Sequence, residues 1–142
     1  MTLGMFALLF HVVVAVLGVG SIAALPLAAR NARRAGLAFG ALGVWARPLL
    51  LTVRLSLLLA FSSGVLLDFV AHGAFHEALW FRLAGLLVVG TAICLARAGA
   101  ALSRGLSGGL AAPLALRRIE GWGFTSVIAV ACIVVLMEWK PF

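Results

Sequence analysis

LGMFALLFHVVVAVLGVGSIAALPLAA, residues 3–29, is an uncharged run of apolar and small residues broken only by His11 and Ser21. As a helix it would be about 40 Å long, enough to cross the roughly 30 Å hydrocarbon core of a bilayer. Its hydrophobicity is continuous and lacks the period-two alternation of a lipid-facing barrel strand. A helix also satisfies every backbone group internally, which lipid demands. Three similar runs follow at about 49–71, 78–101 and 123–139. The expected fold is all-α: an integral membrane four-helix bundle, up-down-up-down, forming a single transmembrane domain over residues 1–142.

Composition supports the same class. Of 142 residues, 65% are hydrophobic and 11% charged, more apolar surface than a water-soluble domain of this size can hide. No Lys or Arg precedes the first run, so it lacks the basic start of a signal peptide and is expected to remain as the first helix. The two cysteines, Cys94 and Cys132, each lie inside an apolar run, which excludes a disulfide framework. The net charge of +7 comes from arginines spread over turns and helix ends. No basic face with interleaved aromatics is present, so nucleic acid is not an expected partner. Nor is there a phosphate-binding Gly-rich loop, a Cys-x-x-Cys pair or a His-Glu-x-x-His motif.

Arginine placement gives an orientation. Arg30, Arg33, Arg34 and Arg47 follow the first run, and Arg97, Arg104, Arg117 and Arg118 follow the third; the positive-inside rule puts both groups in the cytoplasm. DFVAHGAFHEALW, residues 68–80, has no basic residue and belongs outside with both termini. The expected location is a bacterial-type inner membrane, with the termini periplasmic. Tryptophan favours the headgroup level, and Trp45, Trp80, Trp122 and Trp139 all fall at expected boundaries. Residues 30–48 read as a loop, with Pro48 opening the second helix. Residues 103–113 read as a flexible loop. LALRRIEG, residues 114–121, reads as one or two turns on the inner surface, stopped by Gly121.

Few residues carry chemistry. His11 would lie about 12 Å below the start of its helix, at a depth where an ionisable group faces the bundle interior. It is either a haem ligand, metal ligand or proton relay, or a neutral packing residue bonded to a neighbouring helix. Gly4 and Gly18 flank it at spacings of seven, as small residues do where helices approach closely or a flat ligand needs room. Asp68, His72 and His76 are spaced by four and could offer copper or zinc ligands on one helical face, although a turn pivoting near Gly73 would interrupt it. Arg82, near the outer surface, could snorkel, pair with Asp68 or Glu77, or bind a carboxylate. Arg54 reads as a snorkelling topology signal, and Glu138 and Lys140 as boundary residues.

Two segments, FHVVVAVLGVGSIAALPL at 10–27 and VIAVACIVVLMEWKPF at 127–142, resemble the small four-helix membrane proteins that include HemJ-type protoporphyrinogen IX oxidases and CopD-type copper-resistance proteins. The likeness lies in His11, Leu25 and Pro26, and in the tail Lys140, Pro141 and Phe142. It implies a haem- or porphyrin-associated redox protein, with haem b on His11 and Arg82 as partner of a haem propionate. The family's mid-helix Trp and its Arg after Leu-Pro are Gly18 and Leu27 here, and residues 83–99 contain no second histidine. Two other functions compete: an accessory subunit packed against a larger membrane complex or a homo-oligomer, and outer-side copper handling through His72, His76 and Asp68.

Overall fold

The computed structural model describes residues 3–139. They form four helices: α1 (Leu3–Arg34), α2 (Phe39–Val70), α3 (Leu79–Leu106) and α4 (Ala112–Trp139). All four are long and apolar enough to cross a membrane, so the chain is a multi-pass, all-helical membrane protein. Lys140, Pro141 and Phe142 of the tail motif lie outside the described residues.

Toward the arginine-bearing end the helices run further than the sequence suggests. α2 starts at Phe39, ten residues before the expected 49, so Pro48 sits inside it. α4 begins at Ala112 and passes straight through Gly121; residues 114–121 are its first turns and form no separate surface helix. Glycine costs a helix only about 1 kcal/mol, and tertiary packing outweighs that here. Gly43 has no side chain to obstruct Leu106, whose Cδ2 would come within 2.7 Å of a Cβ at that position. What remains as loop is short. α1 ends where Gly36 adopts φ +62° and Leu37 N–H donates to Ala32 O at 3.0 Å, a bond that closes over the left-handed residue.

Contacts fix the arrangement. Along α1 and α2, Gly4 faces Val70, His11 faces Gly64 and Gly18 faces Ser56, so these neighbours run antiparallel. α3 and α4 pack extensively, α1 lies on α4, and α2 and α3 touch least of these pairs. The largest buried cluster gathers toward the arginine end around Leu25, Ala29, Val53, Leu95, Ala98 and Ile119. Its alanines let the backbones approach closely. Pro26, inside α1, is buried against Gly123 of α4, where a Cβ would stand 2.8 Å from the proline Cβ. Seven residues on, Arg33 donates to Glu120 at 3.0 Å and completes an ion pair across the same seam.

Gly123→Val therefore forces α1 and α4 apart and should destabilise the bundle by about 1–3 kcal/mol. Gly20, where an added Cβ would meet nothing within 4 Å, is the control. Thermal unfolding in detergent should show a lower midpoint for Gly123→Val and little change for Gly20→Ala.

Candidate functional site

His11 stands about 12 Å along α1 from Leu3, half-buried and facing α2. Its Nδ1 lies 2.8 Å from Ser63 Oγ. With its own proton directed to Ala60 O at 3.0 Å, that hydroxyl receives the imidazole bond through a lone pair, an arrangement that puts the proton between them on Nδ1. With the proton on Nδ1, Nε2 keeps its lone pair; the Ala60 carbonyl is a further hydrogen-bond neighbour of the ring and, being an acceptor, can engage only a ring N–H. Gly64 makes room for the ring, since a Cβ there would stand 3.6 Å from His11 Cε1. The Gly4, His11, Gly18 face thus serves the α1–α2 seam. Ser63, fifty-two positions away, is the partner that sequence reasoning missed; only the register of α1 on α2 brings it there.

Beside this pair, bordering the main core at Ile22 and Val130, the helices form a half-open cavity of about 220 Å³. His11 and Ser56 are its polar lining residues; Phe61, Phe81, Val88 and Ile133 are among the others. Its walls reach the lipid-facing surface at Phe61 and Val65 on α2 and at Val19 and Val134 across the bundle, all of them exposed. With only His11 and Ser56 supplying polar groups, a molecule here would be held mainly by apolar contact and aligned by hydrogen bonds to the imidazole and the Ser56 hydroxyl.

Arg82 is not part of the cavity lining. Its Nε donates to His76 O at 2.9 Å, so it ties down the loop between α2 and α3. Asp68 does the same from the other side. Its Oδ1 accepts from Phe75 N–H at 2.8 Å and His76 N–H at 3.1 Å, and its Oδ2 lies 3.6 Å from His76 Nδ1. The expected pivot is present: Gly73 has φ +77°, and His72 just before it has φ +57°. These two left-handed residues end the helix, and His72 does not continue the face of Asp68. Among the described residues no group of three His, Cys, Asp or Glu side chains could hold a metal ion. Cys94 is buried, and Cys132 lies exposed on α4.

Comparison with family models, with curated proteins and with solved structures found no match to the chain.

The haem implied by the resemblance meets a mixed fit. The imidazole suits it, with one nitrogen oriented by a second residue and the other free, as ligating histidines are arranged. The space does not: about 220 Å³ lies below the roughly 300–1,000 Å³ typical of sites for drug-sized ligands, and no cation lines it.

Ser63→Ala removes the acceptor for Nδ1–H and should cost about 1–2 kcal/mol of stability. Urea unfolding in mixed micelles reads this directly, and an unchanged midpoint would mean that the bond does not orient the ring.

Proposed function

We propose that this protein binds a lipophilic molecule drawn from the bilayer, of a size below that of a porphyrin and carrying one hydroxyl or other hydrogen-bond donor. One observation carries the reading: the His11–Ser63–Ala60 chain orients an imidazole at the wall of a cavity whose lining is otherwise apolar except for Ser56. A phenol, quinol or long-chain alcohol has the matching chemistry, with an apolar body for the walls and an O–H for Nε2. Entry is lateral, through the seams where the cavity walls meet lipid. In this reading the arginine end faces the cytoplasm and both termini face the periplasm of a bacterial-type inner membrane, which puts the cavity in the outer half.

A second reading keeps haem. Its support is the free Nε2 with an oriented Nδ1, and it needs the α2–α3 seam to open so that the macrocycle lies partly in lipid. Here Arg82 would have to exchange the His76 carbonyl for a propionate.

The two readings separate in one preparation. Protein purified after haem-replete expression should be colourless, and organic extraction should yield a lipophilic hydroxyl compound in near-stoichiometric amount. His11→Phe and Gly85→Phe, the second placed to fill the cavity, should both lose that compound. A Soret band abolished by His11→Phe would instead establish the haem reading.

A further inference from the structure

The arginine end carries more positive charge than it can pair. Nine of the ten arginines lie toward it, and Glu120 is the only acidic residue there. Glu120 is engaged by Arg33. Among the rest Arg54 has an unusual seat. Its guanidinium lies against α3 at Gly99, where a Cβ would collide with Nη2. Gly99 is buried and supplies the notch because it has no side chain. Arg54 has no ion-pair or hydrogen-bond partner among the described residues. Counting sixteen residues back from Val70, it stands about 24 Å from the opposite end of α2, inside the hydrocarbon but near its edge. A guanidinium at that depth without an anion is costly.

We infer that the Arg54–Gly99 notch binds the phosphate of an anionic phospholipid in the leaflet at the arginine end. A planar guanidinium matches phosphate oxygens two at a time. Arg47 shares its face of α2 at a spacing of seven, about 10 Å nearer the end of the helix, and supplies a second cation. Phe61 lies on the same face seven residues the other way, at the wall of the His11 cavity. A lipid anchored at Arg54 therefore lays an acyl chain along the α2–α3 seam, the most thinly packed of the four, and across the opening of that cavity. Charge selects the headgroup: two arginines with no acid beside them favour phosphatidylglycerol-type lipids, whereas the ammonium of a choline headgroup would be repelled by the second guanidinium. Headgroup binding at Arg54 does not depend on what His11 binds.

Native mass spectrometry of the full chain, titrated in detergent with phosphatidylglycerol and phosphatidylcholine of matched acyl chains, tests this. The wild type should bind phosphatidylglycerol more tightly, and Arg54→Gln should lose about fivefold of that preference. Gly99→Val, which keeps the charge but fills the notch, should lose a similar amount. Arg104→Gln, at the same end and, like Arg54, exposed, but away from the Gly99 notch, should keep most of it. Equal binding of the two lipids, or equal losses in Arg54→Gln and Arg104→Gln, would overturn the assignment. Displacement of bound lipid by inorganic phosphate would also overturn it, since the site would then serve a free anion.

Discussion

Close approach of backbones at the arginine end organises this bundle. Pro26 on Gly123, Leu106 beside Gly43, and the buried alanines 29, 46 and 98 bring the helices together there. Lipid tails are as apolar as leucine, so a membrane bundle gains little from hiding apolar side chains. It gains from van der Waals contact between closely fitted surfaces. The small residues make that fit, and the Arg33–Glu120 pair fixes one seam of it. In the other half, larger residues such as Phe61, Phe81 and Val88 stand among small ones such as Ala60, Gly64 and Gly85 and line a cavity. The arginine end is tight, and the other half is open at this cavity.

The two candidate sites lie in these two halves. At the open end a single imidazole is oriented by a serine on the next helix and presents its second nitrogen to apolar walls. At the tight end a guanidinium is seated by a glycine and presents charge to the membrane edge. One arrangement suits a mostly apolar molecule with a donor, and the other suits a phosphate. They adjoin along α2, whose face carries Arg47, Arg54 and Phe61 in succession.

Four apolar runs are enough to predict four membrane helices, because run length against bilayer thickness is a one-dimensional comparison. Helix ends are harder to read. Gly36, Gly40, Gly43 and Pro48 resemble a loop when read singly, yet only Gly36 has the left-handed backbone that stops a helix. The other two glycines and the proline stay helical. His11 is legible as a candidate because an intramembrane histidine is rare. Its partner Ser63 is not, since serine in an apolar helix most often bonds its own backbone, as Ser126 does with Trp122 O. Arg82 shows the limit: its depth follows from position, but its turn toward the His76 carbonyl depends on a loop that Asp68 shapes.

The proposed function requires that His11 hold its proton on Nδ1, against Ser63, and keep Nε2 bare at the cavity wall. Solid-state NMR of protein labelled with nitrogen-15 at histidine, in lipid bilayers and assigned through His11→Phe, distinguishes the two tautomers by the shifts of the ring nitrogens. The expected spectrum shows one neutral population for His11 with Nδ1 protonated and Nε2 unprotonated. A His11 signal with the proton on Nε2, or on both nitrogens, would contradict it.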